Sequence, residues 1–151
     1  DLQHVDTVIK TGNAMTDAIL NSKISLAKSK QIAVKADAHI PVQLKISEID
    51  LCCIIGNLFD NAIEASLKLP PEQRLIRVYM DMKQTQLYIS FTNFTADKKR
   101  QKIGTRFMST KGKGHGLGLV RIDEIVSRLD GYISRNSEDG AFTTEILLPQ
   151  L

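Results

Sequence analysis

Residues 109–119 read Ser-Thr-Lys-Gly-Lys-Gly-His-Gly-Leu-Gly-Leu, in which four glycines alternate with other residues just ahead of an amphipathic helix. Glycine permits positive φ and a close approach of the backbone. A helix start adds unpaired N–H groups and the positive end of the helix dipole. The stretch therefore predicts a binding site for a polyphosphate.

Two better-known glycine motifs do not fit this run. A dinucleotide-binding GxGxxG requires glycine where Leu117 or Leu119 stands, and no GxxxxGK[ST] occurs in the chain. A flexible linker is the remaining alternative. Leu117 and Leu119 argue against a linker, because both continue into the apolar face of the helix that follows.

The sequence after the glycines predicts a helix and a hairpin. Apolar residues at helical spacing run from Leu117 to Leu129, and Gly131 is expected to end the helix in a left-handed cap. Two strands follow, at 132–136 and 142–148, joined by a turn through Asp139 and Gly140.

The sequence before the glycines predicts two helices and three strands. A helix is expected over 13–28 and a strand over 32–37. Ser47 offers an N-cap for a longer helix that continues to about Leu69 and is stopped by Pro70 and Pro71. Alternating apolar residues at 76–82 and 87–92 predict an antiparallel hairpin. This order predicts an α/β (α+β) two-layer sandwich, with helices on one face of a mixed, mostly antiparallel sheet.

Positive charge is concentrated beside the glycines. The net charge is +3, yet residues 97–113 alone carry +6. Residues 94–114 have no regular pattern and are too long for an ordinary connection, so they are expected to form a functional lid. Nucleic-acid binding over a broad face would spread the charge more widely, and we expect no nucleic-acid partner.

The bulk composition bounds the class of protein. A length of 151 residues suits a single domain. Cys52 and Cys53 are adjacent within a helical stretch, which predicts reduced thiols of a cytosolic protein. No apolar run approaches the roughly 18 residues of a membrane helix, so we expect a soluble segment without membrane contact.

The long helix carries a polar stripe at Asp50, Asn57, Asn61, Glu64 and Lys68, all within about 40° of Asp50 around the axis. One interpretation is a solvated surface. The other is that Asn57 and Asn61, one turn apart, offer amide oxygens to a Mg²⁺ that also holds phosphate oxygens. Neither asparagine can accept a proton, and only Glu64 or Asp60 could act as a base on this helix.

Two segments resemble the signature boxes of GHKL ATPases, and specifically of sensor histidine kinases. Residues 57–65 (NLFDNAIEA) are similar to the asparagine box and residues 109–119 to the second glycine box. DNAIEA together with STKxxGHGLGL resembles the branch of peptide-pheromone receptor kinases in quorum sensing. The resemblance covers nearly the whole chain and implies the Bergerat fold, with ATP bound between the asparagine-box helix and a mobile lid.

The resemblance implies a role for each matching position. Asn61 would be a ligand of Mg²⁺, Asn57 would assist it or the phosphates, and Lys111 would be a phosphate cation, although Lys111 could equally be a solvated lid charge. Further contacts with ATP are expected from Asp60, Glu64, Asn93, Phe107, Thr110, Gly114, His115, Gly116, Leu117 and Gly118. Phe107 has the alternative role of anchoring the lid to the core.

The residue at position 57 separates two reactions within this family. In the hydrolytic relatives, the gyrase and MutL ATPases, a glutamate at this position activates water. Asn57 cannot do so, and bound ATP is expected to be kept for transfer of its γ-phosphoryl group to a histidine.

At the adenine end the sequence departs from the family. Most members carry DxGxG after the hairpin, with an aspartate that accepts from the adenine amino group, whereas this chain reads Thr92-Asn93-Phe94-Thr95-Ala96-Asp97. Asn93 is the candidate replacement, and as a neutral acceptor it would bind more weakly. A degenerate module that binds nucleotide weakly, and acts by contacting partners, is therefore the alternative function.

His4, His39 and His115 do not fit the expected phosphoacceptor site, in which an acidic residue follows the histidine. The sequence is thus expected to be one catalytic domain, over 1–151, of a longer membrane-bound receptor, lying in the cytoplasm. Residues 1–28 would lead toward a dimerisation domain that carries the acceptor histidine. The expected partners are that domain, in a homodimer, and a response regulator.

Overall fold

The computed structural model describes residues 8–96 and 116–150, together with the backbone of 102–103 and 106–107. The described helices are α1 (Ala14–Ser29), α2 (Glu48–Ser66) and α3 (Leu117–Arg128), and a 3-10 turn spans Pro71–Gln73. The strands are β1 (Ala33–His39), β2 (Leu75–Lys83), β3 (Gln86–Phe94), β4 (Lys102–Ile103), β5 (Arg106–Phe107), β6 (Tyr132–Glu138) and β7 (Ala141–Pro149).

Five strands form one mixed sheet in the order β1-β2-β3-β7-β6. Only the β1–β2 pair is parallel, and the other three pairs are antiparallel. The helices cover one face, where Leu87, Ile89 and Phe91 of β3 join the core. The predicted two-layer sandwich is confirmed. Within the predicted lid, β4 pairs with β5 in a separate two-residue ladder that the sequence pattern did not predict.

The predicted helix starts are confirmed at α1 and α2. Asn13 Oδ1 accepts from the backbone N–H of Thr16 at 3.1 Å, and Ser47 Oγ accepts from that of Asp50 at 3.1 Å. Helix α2 ends at Ser66, three residues earlier than expected, because Pro70 disfavours helical geometry at the residue before it. The backbone N–H of Leu69 therefore bonds to the carbonyl of Ser66, at 3.0 Å, in a tighter 3-10 pattern.

The predicted left-handed cap at Gly131 is wrong. Asp130 takes that conformation, with φ of 56°, which aspartate tolerates better than most residues. Gly131 is needed for space instead, because a Cβ there would stand 2.6 Å from the carbonyl oxygen of Leu147. The following turn is as expected, with Gly140 at a φ of 89°.

The core joins α2 to the middle of the sheet. Phe59 of α2 meets Phe91 of β3 edge to face, with ring centroids 4.9 Å apart and planes at 89°. Leu20, Ile24 and Ala27 of α1 are buried in the same core. Phe59 lies between Asn57 and Asn61 in the sequence, so its burial fixes the direction in which the asparagines point. None of the helices described here is long and apolar enough to cross a membrane.

Candidate functional site

The Asn57 side chain is held in one orientation. Its Nδ2 donates to the carbonyl of Cys53, one turn earlier, at 2.7 Å, and lies 3.3 Å from the Cys53 Sγ. The Oδ1 is on the side of helix α3, because a Cβ placed on Gly118 would stand 2.8 Å from it. The structure thus brings the asparagine helix and the end of the glycine run into contact.

The start of α3 differs from the other two helix starts. Gly116 precedes the helix and has no side chain to accept from its first N–H groups, whereas α1 and α2 are capped by Asn13 and Ser47. The first N–H groups of a helix require partners from a side chain, water or a ligand. This helix start, next to Asn57, is therefore suited to a phosphate.

Helix α3 is also tied to α2 and the sheet farther along its length. Arg128, in its last turn, donates from Nη2 to Asp50 Oδ1 at 2.8 Å and from Nη1 to Oδ2 at 3.0 Å. These hydrogen bonds hold the pKa of Asp50 below its usual value, although partial burial opposes the shift. Arg135 of β6, which is buried, pairs with Asp123 in the middle of α3 at 2.8 Å. The glycine-bearing start of α3 is thus set on a fixed helix.

The other polar residues of the α2 stripe have different environments. Asn61 and Glu64 are half-buried. Asp60 is exposed, and its Oδ1 accepts from Lys23 Nζ of α1 at 2.7 Å. The stripe is not simply a solvated surface, because Asp50 and Asn57 both face α3. A role of Asp60 in nucleotide binding remains a prediction.

Asn93 lies near the end of β3 on the helix-facing side of the sheet. It is 6% exposed and follows the buried Phe91 on the same face, about 7 Å farther along the strand. Its Nδ2 donates to the carbonyl of Phe94 at 3.1 Å. Within the part of the chain that the structure describes, no hydrogen bond to Oδ1 is found, which leaves that oxygen available as an acceptor.

Several of the predicted nucleotide contacts cannot be placed. Thr110, Lys111, Gly114 and His115 lie outside the described residues, and Phe107 is described only by its backbone in β5. Leu117, the first residue of α3, is 55% exposed beside Gly116. The described half of the site therefore consists of the α2 asparagines, the start of α3 and Asn93.

The residues present fit a Mg²⁺ ion that is coordinated jointly by the protein and by phosphate oxygens. Mg²⁺ binds oxygen, keeps several waters, and takes only one or two protein ligands together with substrate phosphates. Asn57 has its amide nitrogen engaged by Cys53, which leaves Oδ1 directed away from that bond. Asn61 is one helical turn farther along, so the two residues could hold the ion and its phosphates together.

Sequence reasoning missed three contacts that shape the site. These are the hold of Cys53 on Asn57, the close approach of Gly118, and the Asp50–Arg128 pair. The available signal for the Asp50–Arg128 pair was that Asp50 and Asn57 share one face of α2. An element that packs over Asn57, as α3 does, therefore also reaches Asp50.

Residues 46–149 match the family of GHKL domains. The chain belongs to this family, which accounts for the asparagine helix, the glycine run and the mixed sheet between them.

Among curated proteins it is similar to the probable C4-dicarboxylate sensor kinase of Halalkalibacterium halodurans, with 30% identity over 149 residues, 93% of this chain and 28% of that protein. It is also similar to the sensor protein CitS of Bacillus subtilis, with 29% identity over 140 residues, 88% of this chain and 26% of that protein. The chain thus spans just over a quarter of the length of these relatives.

Solved structures show the same fold. The nucleotide-free catalytic domain of histidine kinase ThkA has a TM-score of 0.71 at 18% identity, over 93% of this chain and 94% of that one. The mycobacterial sensor histidine kinase MprB has a TM-score of 0.66 at 18% identity, over 90% of this chain and 93% of that one. The architecture is that of the histidine kinase catalytic domains.

Proposed function

We propose that this chain is the ATP-binding catalytic domain of a sensor histidine kinase, which transfers the γ-phosphoryl group of ATP to a histidine on a separate dimerisation domain. The observation that carries the proposal is the start of α3, which has no side-chain cap and lies against the oriented amide of Asn57. Membership of the GHKL family and similarity to two sensor proteins support it.

The nucleotide would lie between α2 and the start of α3. The backbone N–H groups at Gly116, Leu117 and Gly118 bind phosphate oxygens, and Asn93 Oδ1 accepts from the adenine amino group. Lys111, Thr110, Gly114 and His115 are proposed to complete the phosphate contacts, and Phe107 to cover the base. Asn61 and Asn57 would hold Mg²⁺, which when bound neutralises charge on the phosphates.

The residue types favour transfer over hydrolysis. In the transfer, the bond from the γ-phosphorus to the bridging oxygen breaks, a phosphorus–nitrogen bond forms at the imidazole, and ADP leaves. The imidazole is itself the nucleophile. Attack by water needs a base, and a neutral amide such as that of Asn57 cannot serve as one. The Nδ2 of Asn57 donates to the Cys53 carbonyl, which holds the amide in place.

A second function is favoured by one observation. Asn93 is a neutral residue where the family has an aspartate, so a domain that binds ATP weakly and acts by contacting partners is the alternative. Such a domain would keep the two-layer sandwich but would not transfer the γ-phosphoryl group of ATP to a histidine.

Further features of the whole protein are also proposals. They are homodimerisation through the dimerisation domain, a response regulator as the acceptor of the phosphoryl group, and a cytoplasmic position in a membrane-bound receptor. Similarity of DNAIEA and STKxxGHGLGL to the peptide-pheromone kinases supports a quorum-sensing role. The relatives named above carry other descriptions, so this role rests on the motifs alone.

Calorimetry with Mg-ATP tests nucleotide binding. We expect binding to require Mg²⁺ and to be lost in Asn61→Ala. Asn136→Ala, which removes an exposed amide from β6, is the matched control and should bind as the parent does. Nucleotide-independent binding of DNA or RNA that falls steeply with salt would instead support a basic nucleic-acid site in residues 97–113.

Label transfer from γ-labelled ATP tests the reaction. In the full cytoplasmic form, which includes the acceptor histidine, we expect an acid-labile and base-stable phosphate. Intact Mg-ATP binding without any label transfer would overturn the kinase proposal and favour the partner-binding alternative.

A further inference from the structure

The segment that leads into α1 folds back along that helix. Asn21, in the second turn of α1, bonds to both backbone groups of Ile9. Its Oδ1 accepts from the Ile9 N–H at 2.9 Å, and its Nδ2 donates to the Ile9 carbonyl at 3.0 Å. One turn nearer the helix start, Asp17 Oδ1 accepts from the backbone N–H of Thr11 at 3.0 Å. Because the later residue of the segment contacts the earlier residue of the helix, residues 9–12 run antiparallel to α1.

The two side chains hold the segment in complementary ways. Besides the Thr11 N–H, the Asp17 carboxylate accepts from the Thr11 hydroxyl at 2.6 Å and from the Gly12 N–H at 3.2 Å. Hydrogen bonds to an ionised acceptor are roughly twice as strong as neutral ones. Asn21 makes neutral bonds, but it takes both the donor and the acceptor of one residue, as a paired β-strand does. Asp17 and Asn21 are four residues apart and share one face of α1, and together they form the α1 clamp.

A turn that is also fixed follows the clamped segment. Gly12 has a φ of 91°, and a Cβ there would stand 3.0 Å from Val42 Cγ2. Asn13, the cap of α1, donates from Nδ2 to the carbonyl of Val42 at 3.0 Å. Val42 lies in the connection between β1 and α2, five residues before Ser47, which caps α2. The segment is therefore tied to α1 and to the connection that enters the asparagine helix.

Burial of apolar side chains does not account for the α1 clamp. Ile9 packs against the core but is only half-buried, whereas Val8 is 56% exposed and Lys10 is exposed. Fixing a backbone segment costs conformational entropy, which the hydrogen bonds of the clamp must offset. These bonds are made almost entirely to backbone groups. The clamp thus fixes the path of the chain, rather than any one side chain of the segment.

We propose that Asp17 and Asn21 are positioning residues for phosphoryl transfer, which clamp residues 9–12 onto α1 and so fix where the chain from the dimerisation domain joins the catalytic domain. This inference rests on the proposed function, in which that domain carries the acceptor histidine. The effective concentration of two tethered groups falls roughly as the −3/2 power of the length of a flexible link. Release of residues 9–12 lengthens the link, so it lowers the concentration of the histidine at the nucleotide and leaves the nucleotide site unchanged.

Amide hydrogen exchange on the chain tests whether the clamp holds the segment. In the parent we expect protection at the N–H groups of residues 9, 11 and 12. Asn21→Ala should raise the exchange rate at residue 9 at least about tenfold, because local opening then needs no side-chain bond to break. Ser22→Ala removes an exposed hydroxyl from the adjacent position of α1 and is the matched control. It should leave these rates within about twofold of the parent.

Label transfer from γ-labelled ATP tests what the clamp does. In the full cytoplasmic form, Asn21→Ala should lower the transfer rate at saturating ATP about threefold, and Asp17→Ala/Asn21→Ala by more. The KM for ATP should stay within about twofold of the parent, as should both quantities in Ser22→Ala. The chain mixed with a separate dimerisation domain should transfer at the parent rate in every variant, because no connection then joins the two domains.

Three results would overturn the inference. Unchanged exchange at residue 9 in Asn21→Ala would show that this side chain does not hold the segment. Raised exchange with a transfer rate equal to or above that of the parent would show that the clamp does not position the acceptor. An equal loss of transfer with joined and with separate domains would place the effect at the nucleotide site. All three leave the proposed function standing, whereas absence of label transfer in the parent would overturn the proposed function itself.

Discussion

The amide oxygen of Asn57 occupies the space that a side chain on Gly118 would need. A Cβ on Gly118 would stand 2.8 Å from Asn57 Oδ1 and 3.4 Å from its Cγ. The fourth glycine of the run therefore allows α3 to pack against α2, in addition to any contact with phosphate. Asn57 in turn cannot move away freely, because its Nδ2 is bonded to the Cys53 carbonyl.

Gly118→Ala should weaken binding of Mg-ATP about tenfold or more, because the new methyl group displaces either the Asn57 amide or the start of α3. Calorimetry measures the affinity and thermal unfolding the stability. Gly56→Ala is the matched control on α2, since a Cβ there meets nothing within 4 Å. It should leave affinity unchanged and raise stability by about 0.5–1 kcal/mol. Unaltered affinity in Gly118→Ala would show that the Asn57 orientation does not matter for binding.

Gly131 and Gly140 should respond differently to alanine. Gly131→Ala should lower the free energy of unfolding by about 2–3 kcal/mol, because its Cβ would meet backbone at 2.6 Å. Gly140→Ala meets open space but has a φ of 89°, and should cost about 1 kcal/mol. Urea unfolding compares the two. A larger loss at Gly140 would mean that backbone conformation, rather than space, decides both positions.

The regular parts of the fold were predictable because their signals are local. Ser47 and Asn13 cap their helices through atoms three residues away, and strand alternation reports burial directly. Gly131 shows where local reasoning ends. Its position after a helix suggested a left-handed cap, but Leu147, sixteen residues later, is the reason that glycine is needed there.

The residue types of the candidate site can be read from the sequence, whereas the environments of those residues cannot. Asn57 and Gly118 were identified from their motifs, yet their contact depends on how α3 packs. Asp60 and Asp50 are both acidic residues of α2, and only the tertiary structure shows that they pair with Lys23 and Arg128 respectively. Side-chain pairs between distant elements leave no periodic pattern in a single sequence.

The Asp50–Arg128 pair should make stability depend on pH in the acid range. Hydrogen bonds from Arg128 lower the pKa of Asp50 in the folded chain below its usual value. A lowered pKa contributes stability that is fully present above the unfolded-state pKa and is lost as the pH falls through the folded-state pKa. Arg128→Gln should therefore be less stable than the parent near pH 7, and the difference should shrink below about pH 4.

Urea unfolding at several pH values between neutral and acid measures this difference. Arg121→Gln removes an exposed arginine from the same helix and is the matched control, with no acid-dependent difference expected. If Arg128→Gln lowered the free energy of unfolding equally at pH 7 and at pH 3, the ion pair with the ionised Asp50 would not be the cause of that loss.

The Asn93 side chain should decide how strongly the base of the nucleotide is recognised. Asn93 is nearly buried, and its oxygen is the proposed acceptor of the adenine amino group. A carboxylate makes a hydrogen bond roughly twice as strong as a neutral acceptor. Asn93→Asp should therefore raise the preference for ATP over ITP, which lacks the amino group, by about fivefold.

The same substitution should lower the stability of the nucleotide-free chain, because a buried carboxylate without a donor loses its hydration. Asn93→Ala should bring the affinities for ATP and ITP within about twofold of each other, since neither acceptor nor charge remains. Competition calorimetry gives the ratio of the ATP and ITP affinities for each variant. Because both affinities are measured on the same chain, the ratio cancels general effects of the substitution on folding. If all three chains preferred ATP equally, the adenine amino group would be recognised elsewhere, and the weakening expected from the missing aspartate would not apply.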